Sequence, residues 1–266
     1  MTILDRIIER TREIVASRRR HVSVAELEQT ELFSETRRPF GGAISAVPLA
    51  IIAEVKRASP SKGIIREDFD PVAIARSYDE SGAAAISVLT EPDFFQGSLD
   101  YLGHIRRETQ APLLRKDFII DPYQVVEARS AGADAILLIA TALDPSQLHE
   151  LHEAAAEYGL DSLVEVYDAR ELDLLDVDRL QIVGANNRDL RTFEVDISRS
   201  LEILRVLPDH ITTVSESGIE TAHDLARLVE YGIDAALVGE TFMRAPSPGD
   251  HLRRTLDELT TLLEQV

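Results

Sequence analysis

The sequence contains no cysteine. That absence removes disulfides, thiolate metal sites and a cysteine nucleophile together. Long apolar runs are missing too, since none approaches the ~18 residues that mark a membrane-spanning helix. The opening MTILDRIIERTREIV is charged and amphipathic. It lacks the apolar stretch and the small-residue cleavage site of a secretory signal. The expectation is a cytoplasmic protein with no membrane partner. Positive charge is also short: 28 basic residues stand against 47 acidic ones, a net charge of −19. Such a surface repels nucleic-acid phosphates, so no nucleic-acid partner is expected.

Lysine is the scarcest of the charged types. Only Lys56, Lys62 and Lys116 are lysines, and every other basic residue is arginine. Genome bias or an acidic, salt-adapted surface gives the same depletion. Arginine stays protonated near neutral pH, whereas a lysine whose pKa is lowered can give up its proton. The three that remain are candidates for proton transfer.

What is present is a repeating pattern. The length, 266 residues, suits one α/β barrel with a core large enough to need no staple. Residues 2–20 place Ile3, Leu4, Ile7, Ile8, Ile14 and Val15 at helical spacing. Ser23 with Glu26 forms a capping box for a second short helix. A linker, Arg38-Pro39-Phe40-Gly41-Gly42, follows. Eight short apolar runs come next, at 49–55, 84–89, 112–115, 135–139, 161–166, 180–185, 211–215 and 235–238. Helical patterns at 71–81, 122–131, 145–158, 197–206 and 222–231 lie between them. Three helix–strand junctions carry a glycine that reads as a left-handed C-cap: Gly82, Gly132 and Gly232. The expected fold is α/β, a single (β/α)8 TIM barrel over residues 1–266, with 1–48 a helical extension packing over the barrel mouth. The competing fold, an open doubly wound sheet, usually carries a Gly-rich turn after its first strand. Here that turn reads Lys56-Arg57-Ala58-Ser59-Pro60, without glycine.

In a closed α/β barrel the site lies at the carboxyl ends of the strands. Read in order, those ends carry Glu54, Lys56 and Ser59, then Glu91, Phe94 and Phe95, then Arg115, Lys116, Asp117 and Phe118. Leu137, Glu165, Asn186 with Arg188, Glu216 with Ser217 and Gly218, and Gly239 with Glu240 complete the set. Alternation puts Glu54 and Lys56 on one side. Two lysines and three glutamates thus converge on the mouth. Arg115, beside Lys116, faces the other way, and Arg115→Lys is expected to be nearly silent. Ser217-Gly218 and Gly239-Glu240 each open a helical segment, where backbone N–H groups favour an anion. A phosphate is expected there, with the Glu240 side chain pointing away. Phe94, Phe95 and Phe118 are placed to clasp an aryl ring. Arg188 and Asn186 are placed to hold a carboxylate.

These residues, in this order, resemble the indole-3-glycerol phosphate synthase family. The matching stretches are 52–63 (IAEVKRASPSKG), 87–98 (SVLTEPDFFQGS), 114–124 (LRKDFIIDPYQ), 163–166 (LVEV), 184–190 (GANNRDL), 215–219 (SESGI) and 238–240 (VGE). The first and third are the most specific, and the likeness runs from residue 1 to about residue 265. Ala185 stands where a larger aliphatic is common, and Glu240 where many members have serine. The resemblance implies conversion of 1-(2-carboxyphenylamino)-1-deoxyribulose 5-phosphate to indole-3-glycerol phosphate, carbon dioxide and water. It implies no cofactor and no metal. Lys116 would be the general acid of ring closure. Glu165 and Lys56 would share the dehydration. Glu54 would position the lysines, and Asn186 and Glu216 would bind hydroxyls or stabilise charge. Ser59, Arg188 and Lys56 would fix the anthranilate carboxylate. Phe95, Phe118, Leu137 and Leu190 would line the aryl pocket. Ser217, Gly218, Gly239 and Glu240 would bind the phosphate, and Lys62 would sit in a loop able to close over the mouth. The partner is then a small phosphorylated molecule, and the protein a monomer or weak homodimer. Another phosphosugar barrel, a Schiff-base aldolase using Lys116 and a non-catalytic scaffold remain the rival readings.

Overall fold

A computed structural model describes residues 2–189 and 194–265. Four helices precede the barrel: α1 (Ile3–His21), α2 (Val24–Leu27), α3 (Glu31–Ser34) and α4 (Phe40–Ile44). Eight parallel strands then close on themselves. They are β1 (Ala50–Val55), β2 (Ala85–Leu89), β3 (Leu113–Lys116), β4 (Ala135–Ile139), β5 (Asp161–Val166), β6 (Ile182–Asn186), β7 (Thr212–Glu216) and β8 (Ala235–Val238). Each strand pairs with its successor, and β8 returns to β1 along Ala50↔Ala235 to Ala53↔Val238. No edge is left, so the barrel reading holds over the open sheet. Between and after the strands come α5 (Pro71–Glu80), α6 (Asp100–Glu108), α7 (Pro122–Ser130), α8 (Pro145–Glu157), α9 (Ala169–Leu172), α10 (Ser198–Leu204), α11 (Ala222–Glu230), α12 (Glu240–Arg244) and α13 (Pro248–Leu263).

Local chemistry explains where these elements start and stop. Helices α5, α7 and α8 each open on Asp-Pro. Asp70, Asp121 and Asp144 accept backbone N–H bonds from the first turn, and the proline occupies the position whose N–H has no helical partner. Ser23 and Glu26 form the expected capping box. The junction glycines Gly82, Gly132 and Gly232 sit at φ +94°, +92° and +70°, a region L side chains rarely adopt, and turn each helix into the next strand.

Strand alternation divides the core in two. Outward residues such as Ile51, Ile86, Leu113 and Val164 pack under the helices. Inward residues, including Ile52, Leu114, Leu137, Leu163, Val214 and Leu237, fill the barrel. Ala50, Ala85, Ala135 and Ala235 open their strands and also face inward. Their small size leaves room at that end for Phe40 and Ile44 of α4, both fully buried. Burying a side chain of that size is worth roughly 1.5–3 kcal/mol.

The extension therefore runs the height of the barrel. Helix α1 lies at the mouth, with Ile3, Leu4 and Ile7 lining it. Helix α4 lies at the opposite end, where Gly41 N donates to Asp161 Oδ2 at the start of β5 (2.8 Å). Between them, arginines fasten residues 32–38 to the outer wall through main-chain carbonyls. Arg37 donates to Ala133 O (2.9 Å), Arg38 to Ala111 O (2.8 Å), Arg106 to Thr36 O (2.9 Å) and Arg129 to Phe33 O (2.8 Å). Burial pulls the Arg37 guanidinium down to about 10.

Candidate active site

The inward positions change from apolar to charged at the carboxyl ends of the strands. Lys116, the last residue of β3, donates from Nζ to Glu165 Oε2 on β5 and to Glu216 Oε2 on β7, both at 2.9 Å. Asn186, ending β6 between those two strands, donates to Glu165 Oε1 (3.1 Å). Glu54 on β1 pairs with Lys56 just beyond it. Glu54, Glu165 and Glu216 are all buried, and the Lys116 side chain is only 13% exposed. The structure thus brings five expected charges and Asn186 onto one floor.

Burial weakens every isolated charge, so the pairing decides which are kept. For Lys116, burial favours the neutral amine, but Glu165, Glu216 and Glu54 outweigh it and hold its proton more tightly than usual. For Glu165, burial is outweighed by Lys116 and by the bonds from Lys116 and Asn186, so its carboxyl lies below the ordinary range. Burial dominates at Glu216. Against the pull of Lys116, and reinforced by neighbouring Glu165, it pushes that carboxyl up to about 8. Glu216 Oε1 has no hydrogen-bond partner among the described residues.

Arg115 faces outward, as alternation requires, but a silent Arg115→Lys does not fit what it touches. Its side chain is fully buried under α7. It donates to Asp117 Oδ2 and Glu127 Oε2 (both 2.9 Å) and to Gln124 O (2.9 Å). Thr90 Oγ1 donates to the same Asp117 oxygen (2.6 Å), and Arg18 of α1 donates to Glu127 (3.0 Å). A lysine's single ammonium lacks the planar fork that reaches those separated acceptors.

Above the floor opens a cleft of about 680 Å³. One wall is apolar: Phe95, Phe118, Leu89, Leu137 and Ile139, and Ile3, Leu4 and Ile7 of α1 also line the cleft. The Phe95 and Phe118 rings lie 6.2 Å apart, tilted by 40°. Phe94 is not part of this wall. Its ring lies under the Arg6 guanidinium, 5.8 Å from centroid to Cζ. Glu91 does not join the floor either, because its carboxylate accepts the N–H groups of Asp93, Phe94 and Phe95 and shapes their loop. Leu190 lies outside the described residues.

The opposite wall is built by backbone. Ser217 and Gly218 follow β7 with φ +69° and +75°, and Gly239 is the N-cap of α12. A side chain at Gly218 would run into Val195. Arg188, Ser59 and Glu240 also line the cleft. The Glu240 carboxylate accepts from Arg244 (3.0 Å) and faces Arg188 (3.5 Å), so two guanidiniums balance the acid beside the expected phosphate position. Ser59 Oγ is buried without a hydrogen-bond partner among the described residues. Lys62 is exposed in the loop after β1, which folds back as a two-stranded ribbon pairing Ala58 with Ile64. Sequence reading missed Arg244 and Thr241 as cleft residues. The signal for Arg244 was its position four residues beyond Glu240 on one helix.

Comparison with known proteins decides the family. The sequence profile of the indole-3-glycerol phosphate synthases matches residues 4–255. The chain belongs to that family. It is 52% identical over 257 residues to indole-3-glycerol phosphate synthase of Salinibacter ruber, covering 96% of this chain and 95% of that one. Identity to the enzyme of Rhodopirellula baltica is 51% over 247 residues, covering 92% and 95%. Solved structures at 14–15% identity agree in fold. 3-hexulose-6-phosphate synthase from Salmonella typhimurium superposes with TM-score 0.65 over 80% of this chain and 99% of its own. A chain of the tryptophan synthase complex from Pyrococcus furiosus gives 0.58 over 80% and 97%.

Proposed function

We propose that the Lys116–Glu165–Glu216 cluster is the chemical centre of an indole-3-glycerol phosphate synthase. Family membership gives the activity, a decarboxylating lyase of tryptophan biosynthesis acting on a small phosphorylated substrate. The observation that carries the residue assignment is the place of Lys116. Its ammonium stands on the floor between an aryl-sized apolar wall and a backbone-lined anion wall. A substrate with a carboxyphenyl ring at one end and a phosphate at the other spans that distance with its ribulose carbonyl over the floor.

In this reading the phosphate rests against Ser217, Gly218, Gly239 and Glu240, with Arg188 and Arg244 balancing the nearby acid. Phe95, Phe118, Leu137 and Leu190 hold the ring, while Ser59, Lys56 and Arg188 take the anthranilate carboxylate. Ring closure puts negative charge on the carbonyl oxygen, and Lys116 protonates it there. Carbon dioxide then leaves and the ring regains aromaticity. Glu165 and Lys56 handle the protons of the dehydration. Glu54 keeps Lys56 in place, and Asn186 keeps Glu165. Burial raises the Glu216 carboxyl while Lys116 lowers that of Glu165, so Glu165 is the firmer counter-charge of the Lys116 ammonium. The protein works in the cytoplasm as a monomer or weak dimer, a state that sedimentation would read directly.

The test is direct. The protein is mixed with 1-(2-carboxyphenylamino)-1-deoxyribulose 5-phosphate and indole fluorescence is followed, with borohydride added in a parallel sample. Indole appearing without a trapped adduct supports the reading. A covalent adduct at Lys116 would move the protein to Schiff-base chemistry, and no indole at all would leave it a scaffold.

A further inference from the structure

Gly184 stands in the middle of β6. It shows no positive φ, so its backbone conformation does not call for glycine. Glycine inside a strand adds chain entropy to the unfolded state and contributes no packing, and it often marks a place where something must come close. Gly184 is an inward position, two residues before Asn186. Its registered neighbours are Glu165 on β5 and Val214 on β7. Glu216 follows Val214 by two residues, on the same inward face. Position 184 thus lies between the two carboxylates that share the Lys116 ammonium.

A Cβ built at 184 would fall 3.3 Å from Glu216 Cδ and 3.1 Å from Leu163 Cδ1, and into the volume of Glu216 Oε1. That oxygen has no hydrogen-bond partner among the described residues, while its twin, Oε2, accepts from Lys116. The Glu216 side chain is therefore folded down against the bare wall of β6 and is 2% exposed. Leu163, buried below it, cannot yield far.

We propose that Gly184 is a positioning residue: the side chain missing at 184 is the seat of the Glu216 carboxyl, and that seat keeps Lys116 shared between Glu165 and Glu216. With the seat filled, Glu216 must swing up toward the cleft. Lys116 then either follows it or stays with Glu165 alone, and in both cases the ammonium leaves the position from which it meets the carbonyl. The proposal rests on the reading that Lys116 is the acid, but the seat itself is a matter of packing and can be tested apart from it.

Two thermodynamic cycles do this. The first reads melting temperature for wild type, Gly184→Ala, Glu216→Ala and Gly184→Ala/Glu216→Ala. The expected result is a clear drop for Gly184→Ala alone, and little or no effect of the same change once Glu216 is truncated. An equal drop in both backgrounds overturns the seat. If Gly184→Ala does not fold, the seat requires the double variant to fold, and failure of both also overturns it. The second cycle reads turnover, pairing Gly184→Ala with the shortened acid Glu216→Asp. Gly184→Ala is expected to lower kcat at least about 30-fold with KM changed less than about threefold. Gly184→Ala/Glu216→Asp should then exceed the product of the two single losses by about fivefold or more. A seat confirmed by melting with unchanged kcat would leave the packing intact and move the acid role away from Lys116.

Discussion

Arg115 and Lys116 are adjacent in β3 and leave the barrel wall on opposite sides, each into its own pair of carboxylates. Asp117 and Glu127 hold the arginine beneath α7, and Glu165 and Glu216 hold the lysine in the cleft. Two neighbouring cations thus sit in separate settings, one packed beneath α7 and one on the cleft floor where the proposed chemistry lies, and conservative exchange at each should fail differently.

Lys116→Arg retains the charge, and a guanidinium can still pair with both glutamates. The paired ammonium already holds its proton tightly, and a guanidinium, which stays protonated throughout, cannot deliver one at all. The expected loss in kcat is at least about 100-fold, in the range of a general acid–base group, while a non-reactive substrate analogue still binds within roughly tenfold. Steady-state kinetics with analogue titration checks this. Turnover near wild type would reduce Lys116 to a fixed charge and move the acid role to Lys56.

Arg115→Lys should leave KM nearly unchanged and lower stability. Acceptors at Asp117, Glu127 and Gln124 O lose donors in a fully buried place, at a cost of about 1–3 kcal/mol for a buried group left unsatisfied. Urea unfolding measures it. A midpoint equal to wild type would mean that water or a shifted ammonium replaces the fork.

Glu216→Gln tests the buried carboxyl through pH. The folded-state value is raised from about 4.5 to about 8. A raised group contributes its stability in full below the lower value and loses it as pH rises to the upper one. Glutamine cannot ionise, so its melting temperature relative to wild type should climb between about pH 5 and about pH 8.5. A difference that stays flat or falls over that interval would show that Glu216 is ionised throughout.

The two glycines of the anion wall should part company. Gly218→Val meets Val195 at a left-handed φ, so it distorts the cradle and should raise KM at least about tenfold, with a smaller effect on kcat. A Cβ at Gly239 instead collides with the Glu54 side chain. Gly239→Val should therefore depress kcat as well, by disturbing the partner of Lys56. The same kinetic pattern in both variants would contradict this division.

Salt acts on the whole surface. With a net charge of −19, self-repulsion is screened as ions are added. The melting temperature is expected to rise from low salt to about 1 M potassium chloride, where the screening length is roughly 3 Å. KM should rise with it, because salt also screens a dianionic substrate. A flat or falling melting temperature would remove repulsion as a main destabilising force.

Much of this was legible before any coordinates. The barrel followed from eight short apolar runs and from glycines at 82, 132 and 232, because strand length and C-cap geometry are local properties. The direction of Lys116 followed from alternation. What alternation could not supply was the partner list. Glu127 reaches Arg115 from α7 and Arg18 reaches Glu127 from α1, and such meetings depend on how helices pack on the outer wall. Phe94 and Phe95 look alike in sequence, yet the loop pinned by Glu91 sends one to Arg6 and the other to the cleft. Gly239 read as an anion-binding glycine, and its contact with Glu54 comes from the closure of β8 on β1, the most distant pairing in the chain. Helix α4 is five residues long, too short to announce by periodicity which end of the barrel it fills.

Lys62 lies exposed in the ribbon loop beside the cleft, while the other two lysine ammonium groups are tucked against glutamates on the floor. With no further lysine and no cysteine in the chain, amine-reactive dyes have one ready side-chain target, and it follows Pro60 and Ser61, which line the cleft. A fluorophore attached there would report loop movement on substrate arrival without any substitution. A single cysteine introduced elsewhere would supply an orthogonal second label, so distances across the entrance become measurable by energy transfer in otherwise native protein.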